Sequence, residues 1–419
     1  MKNIYLLLIT CLVAFSAGSQ QTVSLEDCYL WARENYPGLK QSGLLIEISQ
    51  LTQENYQVSN LPVIHLNGQA TYQSDVTKVE IPVPSITMPE IPKDQYKLYV
   101  EARQNIWDGG ISRTLVKLEE AALKTGLSQL ETELYQLKDQ VNDAFFTALL
   151  LKNQQKIIDR QSEVLKEKLN QVESAIRNGV LEESNKWMIE AEILTLDQQR
   201  GKAEAGFHAA ISVLSLITGK TMDNSVQLMY SDVMLLEDKL LARPELDLFK
   251  NRIDQLNART YLLEKQRYPK IFGFGQAGYG RPGLNMLNTE FDSFYLVGIG
   301  LNWNIWDFRK TQREKQGIIL QQQMLSAQEE TFRRNISLLL ARIKSSVDEI
   351  SSAIEKDKKI AGLRKMVATA TGSKLRNGTV TPADYLRDLN AETIALLSLE
   401  NHKIQLEEAK IKYNTLKGN

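Results

Sequence analysis

Cysteine is nearly absent: Cys11 and Cys28 are the two in 419 residues. Cys11 lies in an apolar run at the amino terminus, so a processed chain keeps Cys28 alone and an internal disulfide is excluded. Histidine is nearly as scarce, and His65, His208 and His402 stand far apart without metal-ligand spacing. Met222, Met229 and Met234 lie in a loose segment and read as packing residues, so no metal site is expected. There is no phosphate loop and no nucleophile motif. No catalytic residue or cofactor is therefore expected, and the chain does not read as an enzyme. Charge of one sign is also missing. Fifty basic and 51 acidic residues leave a net charge of -1, and their interspersion offers no patch for nucleic acid. Long apolar runs are confined to residues 4–15, behind Lys2 and ahead of Ser16, Ala17, Gly18 and Ser19. That run falls short of the ~20 residues a membrane-spanning helix needs, and its flanks are those of a secretory signal peptide, placed at 1–19. Thr10 precedes Cys11 where lipid attachment wants a small residue, so no lipid anchor is expected.

What remains is a chain written twice. Gly68-Gln69-Ala70-Thr71-Tyr72 returns 207 residues later as Gly275-Gln276-Ala277-Gly278-Tyr279, and Pro37 and Pro62 return at the same offset as Pro244 and Pro269. Asn105-Ile106-Trp107-Asp108 returns 199 residues later as Asn304-Ile305-Trp306-Asp307, and Arg177-Asn178-Gly179 as Arg376-Asn377-Gly378. Two internal repeats follow, 20–218 and 244–419, joined by a segment 219–243. The drop in offset places a longer loop between the first two strands of repeat one.

Each repeat opens with a short helical stretch, 38–57 and 245–267, and continues into segments with a period of two. Strands are expected at 62–77 and 95–107, and at 269–280 and 293–306. Val297, Ile299, Leu301, Trp303 and Ile305 alternate with Gly298, Gly300, Asn302 and Asn304; Leu98, Val100, Ala102 and Ile106 alternate with Lys97, Glu101, Arg103 and Asn105. Alternation alone fits a soluble sandwich as well as a membrane barrel. Strand lengths near ten residues and aromatic ends, among them Tyr72, Tyr99, Trp107, Tyr279, Tyr295 and Trp306, favour a barrel. Four strands cannot close one, since about eight is the minimum, so several chains would have to share it.

Asp108 is a good helix N-cap, and beyond it apolar residues recur every three or four positions: Leu130, Leu134, Leu137, Val141, Ala144 and Ala148, then Ile158, Leu165 and Val172. Ile336, Leu340, Ile343, Val347, Ile350 and Ile354 repeat the pattern. Proline-free stretches at 107–179 and 306–378, about 100 Å each as helix at ~1.5 Å per residue, read as coiled-coil arms. Each turns at its Asn-Gly, near 179 and 378, and returns as a second helix. A soluble periplasmic coiled-coil adaptor or scaffold explains the heptads but gives the aromatic-edged hairpins no purpose.

Taken in order, the strands led by Pro62 and Pro269, the junctions Trp107-Asp108-Gly109-Gly110 and Trp306-Asp307, and the two Arg-Asn-Gly turns resemble the TolC family of outer-membrane efflux proteins. The resemblance covers nearly the whole chain beyond the signal peptide. It implies an α+β membrane protein: a homotrimer in which four strands per chain build one twelve-stranded β-barrel in outer-membrane lipid, with long antiparallel helices forming a periplasmic α-barrel. It implies passive passage of substrates outward, with a periplasmic adaptor (membrane fusion) protein and an inner-membrane pump as partners in a tripartite efflux or type I secretion system. By the same resemblance, 219–243 and the chain end lie at a belt around mid-tunnel. Arg177, Asn178, Gly179, Val180 and Leu181 with Arg376, Asn377, Gly378, Thr379 and Val380 form adaptor-docking tips, where Val180, Leu181, Thr379 and Val380 are expected to be exposed for apolar contact. The family narrows its closed mouth with two acidic residues past the second turn. Asp384 matches the first of these; Arg387, with Asp388 beside it, stands at the second, and Asn185 is the counterpart of Asp384 in repeat one. A ring of Asp384, or an Asp384–Arg387 bridge between neighbours, would then be the gate. Lys97, Glu101, Arg103, Asn105, Asn302 and Asn304 are the expected barrel-lumen residues.

Overall fold

The structure, a computed structural model, describes residues 22–77 and 91–419; the signal segment and most of the proline-rich first loop lie outside them. The chain divides into two compact units.

The first unit comprises residues up to Gln41 together with Leu130–Leu246 and Glu330–Asn419. It begins with β1 (Thr22–Ser24) and α1 (Leu25–Asn35), neither of which the sequence reading anticipated. A capping box starts α1: Asp27 donates its amide to Ser24 Oγ at 3.0 Å, and the Ser24 amide donates to Asp27 Oδ2 at 3.2 Å. After a 3₁₀ turn at Pro37–Leu39, α2 spans Lys40–Val58 and passes into the second unit. The joining segment carries β4 (Gln227–Met229), which pairs in parallel with β1.

The long arms are α3 (Ile111–Arg177) with α4 (Glu183–Thr218) and, in repeat two, α6 (Lys310–Arg376) with α7 (Pro382–Lys417). Their buried residues step by sevens: Ile158, Leu165 and Val172 on α3; Ile189, Leu196 and Ala203 on α4; Val347, Ile354, Ala361 and Ala368 on α6. A seven-residue step keeps one seam facing its partner only if the helices supercoil, which is the coiled-coil geometry expected. Around β1, α1 and β4 the arms widen into a larger core of Val23, Cys28, Phe145, Phe146, Phe207 and Leu214. Burial there pushes the Cys28 thiol up to about 12, with Asp27 and Glu26 adding to the shift, so this thiol is chemically quiet.

The second unit comprises Ser42–Gln129 and Asp247–Glu329. Most of α5 (Pro244–Lys265), which opens with proline at its first position, lies in this unit. Its sheet holds β2 (Val63–Tyr72), β3 (Asp94–Trp107), β5 (Lys270–Arg281) and β6 (Asp292–Asn302), antiparallel in the order β2-β3-β5-β6. Two bounds depart from expectation. β2 ends at Tyr72 rather than 77, and β6 ends at Asn302 rather than 306. The second difference has a structural cause. β3 is central and extends to Trp107 because β5 pairs with it as far as Ile271, whereas β6 is an edge strand whose last partner is Lys270. Past Asn302 no strand within the sheet supplies hydrogen bonds. Trp303, Asn304, Ile305 and Trp306 therefore leave the ladder, and Trp303 donates its indole N–H to the Arg267 carbonyl at 3.1 Å.

Candidate functional site

Residues directly opposite in a ladder share a face, so the register sorts the whole sheet. Ile64, Leu66, Leu98, Val100, Ala102, Ala277, Tyr279, Tyr295, Val297 and Ile299 fall on one side. That side is bare: Leu66 is 70% exposed, Val297 78% and Ile299 76%. The other side carries Lys97, Glu101, Arg103, Asn105 and Asn302, bringing together five of the six expected lumen residues. Asn304, the sixth, lies beyond the end of β6. His65, Asn67, Gln69 and Gln276 belong to the same polar side and were overlooked, although the period of two through β2 marks three of them.

At the strand-to-helix junctions Asp108 accepts from the Ser112 amide at 2.6 Å and the Gly110 amide at 2.8 Å. Asp307 does the same for Thr311 and Arg309, at 3.0 Å each. The two aspartates cap helices of 67 residues at the end where a carboxylate suits the helix dipole.

Both Asn-Gly turns are Schellman motifs. Gly179 N–H donates to the Ile176 carbonyl and Val180 N–H to the Ala175 carbonyl, each at 2.9 Å; Gly378 and Thr379 repeat this with Leu375 and Lys374 at 3.0 Å. The glycines sit at φ +75° and +69°, where a Cβ is costly. Arg177 and Arg376 fold back onto Ser174 and Ser373 of their own helices, at 3.1 and 3.0 Å. Asn178, Asn377, Val180 and Thr379 are exposed, while Val380, expected to be exposed, is half-buried. Leu181 departs from the exposed position expected of it, because its side chain packs against the cluster built on Leu165, Val172 and Ile189. Instead, Trp187 is 62% exposed and Met188 40% exposed one turn into α4. Trp187 was missed; its counterpart 199 residues on is the buried Leu386.

Around Asp384 the geometry is that of a helix cap. Thr381 Oγ1 donates to Asp384 Oδ2 at 2.7 Å and the Thr381 amide to the same oxygen at 3.3 Å, while the Asp384 amide donates to Thr381 Oγ1 at 3.2 Å. These bonds, with the nearby Arg387 charge, hold the Asp384 carboxyl below the usual aspartate range. A depressed carboxyl pKa stabilises the fold above the unfolded value, and that contribution is lost as pH falls through the folded value, so the cap is fully charged at neutral pH. Arg387 pairs within its own chain, 3.5 Å from Asp384 and 3.6 Å from Asp388. Asp388 is tied across to α6, accepting from Thr371 Oγ1 at 2.7 Å. The counterparts of Thr371 and Asp388 in repeat one are the buried Val172 and Ile189. Repeat one also lacks the box: Glu182 stands at the N-cap without a side-chain hydrogen bond, and Asn185 donates its amide side chain to the Glu182 carbonyl at 3.2 Å.

Comparison with known proteins places this architecture. No family model and no curated protein matches the chain by sequence. Among solved structures it is similar to the outer membrane protein VceC of Vibrio cholerae, at TM-score 0.69 and 14% identity over 94% of this chain and 96% of that one. It is also similar to the CmeC outer membrane channel of Campylobacter jejuni, at TM-score 0.67 and 14% identity over 94% and 85% of the two chains. The MtrE outer membrane channel of Neisseria gonorrhoeae gives 0.67 and 16%, over 94% and 88%. The chain thus has the α-barrel and β-barrel fold of outer-membrane channels, the fold class its sequence suggested.

Proposed function

We propose that the chain is one subunit of a homotrimeric outer-membrane channel-tunnel that conducts substrates passively from periplasm to exterior. The observation that carries this reading is the sheet: a bare apolar face, an opposite face that is polar along β2 and β3 and mixed along β5 and β6, and two open edges, β2 and β6, each paired on one side only within the sheet. Four strands with free edges close only by joining copies, and three copies supply twelve strands, with the apolar face toward lipid and the polar face toward a wet lumen. Among the described residues no helix is long and apolar enough to cross a membrane, so in this reading the strands alone cross it. Leu320, Leu338, Leu363 and Met366 on α6, each more than half exposed, would be covered by the neighbouring arms of the trimer.

The duct assigns this chain no chemical step, so energy comes from an inner-membrane pump joined through a periplasmic adaptor, as in tripartite efflux or type I secretion. The Arg-Asn-Gly turns, with Val180 and Trp187 beside them, offer the adaptor an exposed apolar and cationic contact. A soluble scaffold is the competing reading, and it would leave the bare sheet face in water. Cell fractionation followed by planar-bilayer recording separates the two. The duct reading expects the protein in the outer-membrane fraction with stable ion-conducting steps; recovery from the soluble periplasm without conductance would end it.

We place the gate at Asp384 with Arg387 and Asp388, opposite Asn185 of repeat one, and its charge can be separated from its cap. Asp384→Asn keeps an oxygen for the Thr381 hydroxyl but removes the charge, so block of the channel by divalent cations weakens. Thr381→Ala removes the cap, lowering stability by about 1 kcal/mol, and leaves cation block in place. Unchanged block in Asp384→Asn would reduce Asp384 to a capping residue.

A further inference from the structure

The polar side of the sheet is not alike in its two hairpins. At the repeat offsets, His65 and Asn67 of β2 correspond to Phe272 and Phe274 of β5, and Glu101 and Tyr99 of β3 correspond to Gly300 and Gly298 of β6. The ladders place His65 opposite Glu101 and Asn67 opposite Tyr99, and likewise Phe272 opposite Gly300 and Phe274 opposite Gly298. Two cross-strand pairs have therefore changed together, each from two side chains to a ring facing a glycine. The glycines are needed: a Cβ at Gly300 would stand 2.3 Å from the Phe272 ring and one at Gly298 2.6 Å from the Phe274 ring. Each ring lies down over its glycine, half-buried, and the two centroids are 6.2 Å apart. Where the hairpins meet, the Arg103 guanidinium sits 4.0 Å above the Phe272 ring. Among the described residues Arg103 makes no ion pair; Glu101, two residues away, and Lys97, six away, lie on the same face of its strand.

Ring cover over strand glycines stabilises a sheet, but that accounts for one face of each ring only. On Phe272 the other face is taken by the Arg103 guanidinium, whereas among the described residues no cation stacks on Phe274 and Arg103 makes no ion pair. Phe272 thus holds the Arg103 guanidinium beside Phe274, whose ring centroid lies 6.2 Å from its own; a flat solute can stack on Phe274 while its anionic group meets Arg103, and a cation is disfavoured beside that charge. We propose that Phe272, Phe274 and Arg103 form a binding site for planar aromatic anions, such as aryl carboxylates, on the wall of the duct. The site's route depends on the duct reading of the previous subsection; its binding does not.

The test is equilibrium dialysis of 2-naphthoate, and of its saturated analogue decahydro-2-naphthoate, against the detergent-solubilised full chain, with protein-free detergent subtracted. The two probes share a charge and differ in flatness. Naphthoate binds about tenfold tighter, the size of one or two ring-stacking contacts. The ratio falls to near one in Phe272→Leu/Phe274→Leu, and Arg103→Gln weakens naphthoate binding while leaving uncharged 2-naphthol unaffected. Equal binding of the two acids, or a ratio that survives in the double leucine variant, overturns the site. Bilayer recording of the same sample keeps the two ideas apart: absence of conductance would remove the duct while the dialysis still decides the site.

Discussion

Val100→Arg abolishes assembly in the outer membrane, while Glu101→Arg, one residue further along the same strand, leaves it intact. The two positions are adjacent in sequence and opposite in environment. Val100 pairs with Leu66 and Ala277 on the bare apolar face, whereas Glu101 pairs with His65 and Gln276 on the polar face. Both lie near the middle of a 14-residue strand, where an arginine facing lipid costs about 2–4 kcal/mol per chain. In the proposed trimer threefold repetition multiplies that penalty, while an arginine facing water costs little. The measurement is heat-modifiable oligomer in the outer-membrane fraction, with total chain as reference. A soluble sheet would show the reverse, since covering an exposed apolar face with charge would improve its behaviour in water.

The second large effect belongs to the core beside β1 and β4. Phe145 is fully buried and Phe146 is 2% exposed; their rings meet edge-on at 5.6 Å, and Phe146 also meets Tyr230 at 5.9 Å. Phe145→Ala leaves a cavity that this packing cannot collapse to fill, and costs about 3–5 kcal/mol. That is a large share of the ~5–15 kcal/mol by which proteins are stable. Cys28 reports the loss. It is fully buried in the same cluster, with its thiol pushed up to about 12, so alkylation in the native protein is slow and accelerates at least tenfold in the variant. Leu216→Ala, at a position 84% exposed, leaves the rate unchanged. Equal alkylation rates in Phe145→Ala and the parent chain would show that the cluster is not a cooperative core.

The long arms and their turns were legible in the sequence because their causes are local and repetitive: a seven-residue apolar step, a capping aspartate, and a glycine where φ must be positive. The strands were legible for the same reason, since a period of two needs no knowledge of a partner. Their ends were not. Trp306 reads as well as Trp107, but only Trp107 finds a ladder partner, Ile271. β1 and β4 were invisible because three-residue strands over 200 residues apart exist only by pairing with each other. Leu181 misled for a related reason: whether a residue after a turn is exposed depends on the helix packed beneath it. Two signals were present and unused. Thr381-Pro382-Ala383-Asp384 has the spacing of a capping box, which explains in helical terms why repeat two carries aspartate where repeat one carries Asn185. The exchange of His65 for Phe272 and of Glu101 for Gly300 stands in the repeat offsets, but its meaning needed the register that sets each ring against a glycine.

The proposed duct requires three copies to close one barrel. Two copies would supply eight strands, enough to close a narrow barrel, and one copy would leave both sheet edges open, so the copy number decides directly. Native mass spectrometry of the protein released from detergent counts the chains. Three chains in a single particle is the result expected; a particle of one chain, or of two, would contradict it.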